Sequence, residues 1–274
     1  MTDLQKKAND IRRIVLEATF RAGSGHIGGD LSVCDILTVL YHKIMNVSPE
    51  RIHDPDRDRF LLSKAHCADC LYTVLGDMGY FDLSEYLNTF EKFQSRFIGH
   101  TNTMVPGIEF NGGSLGHGLS VGVGMALAAK MDGRNYRTYV VLGDGEMEEG
   151  SNYEAMMAAA QFGLDNLCAT VDCNGLQISG RTCDVMNTAP LGEKFSAFGW
   201  NVIEVPDGND CAQLVSAYEA AKTYEGKPTA VIAHTVKGEG VSFMENNARW
   251  HHGVMTREQY EQAVSEVMKG RRYE

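Results

Sequence analysis

The sequence predicts an α/β fold of three layers, with helices on both faces of a mainly parallel sheet. In the second half, short apolar or β-branched runs alternate with segments of helical period, the order that parallel strands and crossover helices leave in a chain. In the first half, amphipathic helical patterns flank a glycine-rich turn. Two strand candidates end directly in glycine and polar residues, where sheets of this kind bind ligands. With 274 residues and 43% hydrophobic content, there is enough apolar side chain for a substantial core. No repeat, low-complexity tract or Pro/Ser-rich linker marks an internal boundary, so one domain over 1–274 is expected.

The first helix is expected over 4–21, where Ile11, Ile14, Val15 and Ala18 recur at helical spacing. The second, over 31–45, is carried by Val33, Ile36, Leu37 and Leu40, and 22–30 between them reads as a glycine-rich turn. After a polar stretch at 48–58, a short strand at 59–62 runs into Ser63-Lys64-Ala65-His66 and a helix through Leu75. A loop rich in glycine and polar residues covers 99–118. Gly122-x-Gly124-x-x-Leu127 is at most a degenerate dinucleotide fingerprint; it follows a loop rather than a strand, so its glycines read as permitting close helix packing. Strands follow at 138–142, 167–172, 200–205 and 229–235, with helices at 151–162, 191–198 and 211–224. The tail, 260–274, reads as a polar helix with a basic end.

A formal net charge of -11 argues against non-specific attraction to nucleic acid or to an anionic membrane surface. A bound phosphate therefore needs a local device. No window approaches the roughly 18 apolar residues of a spanning helix, and the amino terminus has no apolar run of signal type. The seven cysteines (Cys34, Cys67, Cys70, Cys168, Cys173, Cys183, Cys211) are an odd, scattered set, which points to a reducing cytoplasm. Cys67-x-x-Cys70 lies in a predicted helix without a second ligand pair and reads as small core residues.

Val140-Val141-Leu142-Gly143-Asp144-Gly145 sets an aspartate after an apolar strand, between glycines that let a ligand touch main chain. Thirty residues later the next strand ends in Cys173-Asn174-Gly175, and one crossover helix brings the two strand ends side by side. A carboxylate and an amide oxygen there suit a hard divalent cation that completes its octahedron with phosphate oxygens and water. Mg2+ bridging a diphosphate fits, with Ca2+ or Mn2+ as substitutes, and the ion supplies the positive charge an acidic protein lacks. The carbonyl of Leu176 is the candidate third ligand. Gly-Asp-Gly alone also reads as a tight turn; its pairing with Asn174 reproduces the signature of enzymes that depend on thiamine diphosphate.

Ser24-Gly25-His26-x-Gly28, Ser63-Lys64-Ala65-His66, Gly99-His100, Gly113-Ser114-Leu115-Gly116-His117-Gly118, Glu149-Gly150 and Lys237-Gly238-x-Gly240 with His252-Gly253 extend that pattern. In order and spacing they resemble the amino-terminal, diphosphate-binding domain of transketolase over nearly the whole chain. The resemblance implies the thiamine diphosphate-binding fold, diphosphate-binding type. It assigns Asp144, Asn174 and the Leu176 carbonyl to the metal. Gly143, Gly145, Ser114, Leu115, Gly116, His66 and Lys237 go to the cofactor, as does Glu149, which also looks like a contact across the subunit interface. His26, His100 and His252 match histidines that line the substrate channel, bind donor hydroxyls and assist proton transfer, as neutral imidazoles can near pH 7. His251 adjoins His252, so the choice between them stays open. His42 and His53 read as surface residues, and His234 as structural or cofactor-lining.

The sequence departs from the family at Ile27 and Thr101, where proline is usual, and at Ser114 and His117, where Pro and Gln are common; these touch loop stiffness and substrate preference. A transketolase also has pyrimidine-binding and carboxyl-terminal domains that this chain lacks. They are expected on a partner chain in an α2β2 heterotetramer, the polar tail reading as a natural end. The implied activity is transfer of a two-carbon ketol unit from a ketose phosphate to an aldose phosphate in carbohydrate metabolism of the pentose phosphate kind. The alternatives are an enzyme for a sulfonated or branched ketose, a deoxyxylulose phosphate synthase type, and a non-catalytic cofactor-binding regulator, against which the histidine set speaks.

Overall fold

The computed structural model describes residues 2–270. The chain runs α1 (Asp3–Ala22), α2 (Ile27–Val39), β1 (Arg59–Leu62), α3 (Ala68–Asp77), α4 (Leu83–Thr89) and α5 (Gly118–Met131). It continues through β2 (Thr138–Gly143), α6 (Gly150–Gln161), β3 (Leu167–Cys173), a small hairpin of β4 (Leu176–Gln177) and β5 (Gly180–Arg181), α7 (Thr182–Val185) and α8 (Leu191–Ala197). It ends with β6 (Asn201–Val205), α9 (Cys211–Thr223), β7 (Thr229–His234) and α10 (Arg257–Lys269). Strands β1-β2-β3-β7-β6 form one parallel sheet. The predicted α/β class and all the expected strands are present, with β2 and β3 paired directly.

The three layers follow from the period of two along each strand. Tyr139 and Val141 of β2, Cys168 of β3 and Val231 and Ala233 of β7 pack on one face with α1, α2, α3 and α9. Val140 and Leu142, Ala169 and Val171, and Ala230 and Ile232 pack on the other with α5, α6 and α8. Both faces being covered, each buried Val, Leu or Ile adds about 1.5–3 kcal/mol of apolar transfer. A satellite cluster of Tyr72, Tyr86, Phe90, Phe97 and Val105 supports the glycine-rich loop. Helix α10 begins at a capping box formed by Thr256 and Gln259 and lies back on α1, with Tyr260 stacked on Phe20 at 4.5 Å. The basic end of the predicted tail, 271–274, lies outside the described residues. Among those residues no helix is long and apolar enough to cross a membrane.

Some boundaries differ from expectation, for identifiable reasons. The second helix begins at Ile27 rather than 31, because Gly28 and Gly29 are contact glycines. A Cβ on Gly28 would come 2.6 Å from the Trp250 carbonyl oxygen, and one on Gly29 would come 2.8 Å from Cys67 Sγ. Its last turn, Leu40–Ile44, is π-helical. Helix α4, capped by Asp82 on the Ser84 amide at 2.8 Å, is an addition to the expected elements, as is the β4–β5 hairpin. His42 is half-buried beside Asp77 rather than on the open surface. The Cys67 and Cys70 side chains are buried in the core, as expected.

Of the two glycines in the degenerate fingerprint, Gly122 and Gly124, only Gly122 is a packing glycine. A Cβ there would meet Val140 Cγ2 at 2.5 Å, whereas Gly124 is exposed with nothing within 4 Å. Gly122→Ala should therefore destabilise the chain by about 1–3 kcal/mol through overpacking. Gly124→Ala should be neutral or add up to about 1 kcal/mol from helix propensity. Urea midpoints at unchanged m report both, and equal shifts for the two variants would contradict the assignment.

Candidate active site

Because the sheet is parallel, the residues that follow β1, β2, β3 and β7 all emerge at one end. The organising group there is Asp172, wholly buried near the end of β3. Its carboxylate accepts hydrogen bonds from Lys64 Nζ just after β1, from Thr235 Oγ1 just after β7, and from Ser32 Oγ on α2 at 2.6 Å. Asn174 Nδ2 lies 3.5 Å from the same oxygen. Burial disfavours both charges of the Lys64–Asp172 pair, but each partner more than offsets it. The Asp172 pKa is held below the carboxylate range and that of Lys64 above the ammonium range.

Glu146, in the turn after β2, ties a second set of loops. Its Oε1 accepts from the Ser63 hydroxyl and from the Gly116 N–H at 2.8 Å, and its Oε2 accepts from the Gly143 N–H at 3.0 Å. Gly116 has φ of 85°, and a Cβ there would come 2.5 Å from Glu149 Cβ, so this position requires glycine.

Between these anchors opens a cleft of about 370 Å³. On its floor Asp144 accepts the Gly175 N–H at 2.7 Å and the Gly145 N–H at 3.0 Å. Asn174 Oδ1 accepts the Leu176 N–H at 3.1 Å, and the Leu176 carbonyl accepts from Lys237 Nζ at 3.0 Å. The three predicted ligand oxygens thus sit on adjacent strand ends, each with lone-pair capacity left. One carboxylate, one amide and one carbonyl form a hard donor set, which fits a cation of the magnesium class sharing phosphate oxygens. Among the described residues no group of three or more His, Cys, Asp or Glu side chains is arranged to hold a metal by itself. Burial, and then the neighbouring Asp172, push Asp144 up to about 6.

At the other end of the cleft five imidazoles converge. The His26 ring centroid lies 4.8 Å from His252, 5.3 Å from His66, 5.6 Å from His100 and 5.7 Å from His251. His251 stacks on His66 at 5.2 Å, and its Nδ1 is 2.9 Å from Lys237 Nζ. Burial, then its charged neighbours, lowers His26 to about 4 and His251 to about 3, so both are neutral at pH 7. Burial and Lys64 lower Lys237 to about 8. His26 Nδ1 is buried without a hydrogen-bond partner, an atom free to meet a ligand.

The structure therefore brings together His26, His66, His100, Leu115, Gly143, Asp144, Gly145, Glu149, Asn174, Leu176 and Lys237 around one cleft. His251 and His252 both pack against the His26 ring, but only His251 lines the cleft, and His252 is exposed at its edge. Ser114 is exposed and does not line the cleft. His234 pairs with Glu204 at 2.9 Å on the exposed end of β7, away from the cleft. Sequence reasoning missed Asp172, Glu146 and Ser32; Asp172, two residues before Asn174 at the end of an apolar strand, was the one visible signal.

The Lys64–Asp172 pair makes a direct test. Lys64→Met leaves a buried carboxylate uncompensated and should cost about 3–5 kcal/mol in urea unfolding. Because the Asp172 pKa is depressed on folding, its contribution is present above the unfolded value near 4 and is lost as pH falls through the folded one. The variant's deficit should accordingly shrink in acid.

A family model described as the transketolase thiamine diphosphate-binding domain matches residues 4–267. The chain is 49% identical over 265 residues to one subunit of an apulose-4-phosphate transketolase from Phocaeicola vulgatus, spanning 97% of this chain and 93% of that one. It is 41% identical over 268 residues to one subunit of a 6-deoxy-6-sulfo-D-fructose transketolase from a Clostridium species, spanning 97% of each. It superposes on the transketolase of Campylobacter jejuni with a TM-score of 0.91 at 30% identity, covering 97% of this chain and 43% of that chain. The chain thus spans less than half of the solved transketolases it matches. The relatives matched over nearly their full length are themselves named as subunits. The chain belongs to the transketolase family, as a thiamine diphosphate-dependent transferase subunit corresponding to the amino-terminal domain of the longer enzymes.

Proposed function

We propose that this chain forms a transketolase with a partner chain carrying the pyrimidine-binding and carboxyl-terminal domains, as an α2β2 heterotetramer in the cytoplasm. The observation that carries this reading is the convergence of His26, His66, His100 and His251 beside the Asp144–Asn174 strand ends in one cleft, with His252 packed on the His26 ring. Asp144, Asn174 and the Leu176 carbonyl would hold Mg2+, which would supply positive charge for the cofactor diphosphate. Gly143, Gly145, Leu115 and Gly116 let the cofactor lie against main chain, Ser114 bounds the same loop, and His66 and Lys237 face the diphosphate end. Glu149, exposed beside Gly116, meets the partner. Thiamine diphosphate supplies the electron sink for breaking the C2–C3 bond of a ketose and carrying its two-carbon unit. His26, His100 and His252 bind the donor hydroxyls and move the proton at the carbonyl being cleaved, and a neutral His26 can both donate and accept.

For the donor, two relatives at 49% and 44% identity are named as subunits of apulose-4-phosphate transketolases, which favours apulose 4-phosphate. The relative named for 6-deoxy-6-sulfo-D-fructose, at 41%, supplies the second reading. Co-purification with the partner chain, then ketol transfer assayed on both donors, tests the proposal. The chain alone is expected to be inactive. In the complex, His26→Ala should lower kcat/KM by at least about a hundredfold, within the range of lost acid–base catalysis, with cofactor affinity retained. A variant that keeps turnover would remove His26 from the mechanism.

Asp144 has a folded pKa near 6, above its unfolded value near 4, so the free chain loses stability as pH rises through that window. Mg2+ binding needs the ionised carboxylate and reverses the loss. The rise in Tm produced by Mg2+ and thiamine diphosphate should therefore grow from pH 5 to pH 7. A pH-independent increment in calorimetry would speak against Asp144 as the ligand.

A further inference from the structure

Two carboxyl groups that the cleft does not use lie behind the histidine cluster. Asp30 is in the first turn of α2 and Asp69 in the first turn of α3, both wholly buried. Neither helix is capped by its own N-cap side chain, since His26 and Cys67 make no such bond. The carboxyl groups act across the pair instead. Asp30 Oδ1 accepts the Cys70 N–H, in the first turn of α3, at 3.2 Å. Asp69 is turned the other way, toward the His26 N–H, and its Oδ2 packs on Gly25, where a Cβ would come within 2.7 Å of it.

Asp30 Oδ2 and both Asp69 oxygens are buried without a well-formed hydrogen bond. Facing Asp30 are Cys34, Lys64, Cys67, Asp69, Cys70 and Tyr86; facing Asp69 are Asp30, Glu91, Tyr72 and Tyr86. The one cation among them, Lys64, is already paired with Asp172. Two adjacent buried carboxyl groups without a cation of their own cannot both be ionised. Burial, and for Asp69 its neighbour Asp30, hold both well above the ordinary carboxylate range. A single negative charge shared there suits two helix starts that face each other.

We propose that Asp30 and Asp69 hold one proton between them and act as positioning residues, locking the turn that carries His26 to the turn that carries His66. The positioning claim rests on the reading of His26 given above; the shared proton does not.

The proton is read from the unfolding of the full chain. Near neutral pH the unfolded chain has both groups ionised while the folded chain keeps one proton. The pair therefore raises the unfolding equilibrium constant by about tenfold per pH unit as pH rises. Asp69→Asn removes that contribution, so the ratio of wild-type to variant constants should change about tenfold per unit between pH 5 and 7. A pH-independent ratio would overturn the shared proton.

Positioning is read in the complex with the partner chain. Asp69→Leu should lower kcat by about tenfold or more with donor KM and cofactor affinity little changed. Asp69→Asn, whose amide donates the bond that the proton supplied, should restore kcat to within about threefold of wild type. Equal kcat for the two variants overturns the role. Should Asp69→Leu fail to fold, Asp30→Asn takes its place: activity near wild type is expected, and a loss beyond about tenfold refutes the exchange. A wild-type complex that transfers no ketol unit would refute the function while leaving the proton measurement intact.

Discussion

The Asp172 carboxylate, with no exposure to solvent, collects Lys64 from the end of β1, Thr235 from the end of β7, Ser32 from α2 and the Asn174 amide from its own strand. An ionised group so deep is tolerated only when paired and hydrogen-bonded on every side. That requirement makes it a strong geometric constraint, because displacing any one loop leaves a charge uncompensated in low dielectric. Glu146 applies the same logic one strand over, binding the loops of Ser63, Gly116 and Gly143. The cleft is therefore held by groups that lie beneath it.

This arrangement also answers how a chain of net charge -11 accommodates a diphosphate. Lys64 is neutralised by Asp172, and Lys237 is pulled toward the neutral form by burial and Lys64. Lys237, at about 8, still carries its charge at pH 7, but its ammonium is already committed to the Leu176 carbonyl. A metal at the candidate oxygens of Asp144 and Asn174 would add the further positive charge that a diphosphate calls for. The imidazoles of His26, His66 and His251, held neutral first of all by burial, add polarity without adding charge.

Much of this is legible residue by residue. The strand–turn pairing of Gly143-Asp144-Gly145 with Asn174 predicts adjacent strand ends, and β2 and β3 pair in register up to Gly143 and Asp172. His26, His66 and His100, far apart in the chain, stand out only through the family pattern, and they meet around one ring. Adjacent His251 and His252 read as exclusive choices, whereas a turn beside Trp250 presents both. Ser114 goes with its loop neighbours in the sequence, but it lies at a bend just before the Leu115–Gly116 turn and is exposed.

The amino-acid order by itself determined the layer architecture, because period and apolar content along each segment are local properties that fix which faces must be covered. It also placed the candidate oxygens of Asp144 and Asn174 after two strands that lie side by side. The tertiary structure alone decided protonation and support: that Asp172 is ionised, that Asp30 and Asp69 lie side by side, that Gly122 is tight and Gly124 free. A pKa or a clash depends on burial and on neighbours tens of residues away in sequence, and those distances exist only once the chain is folded.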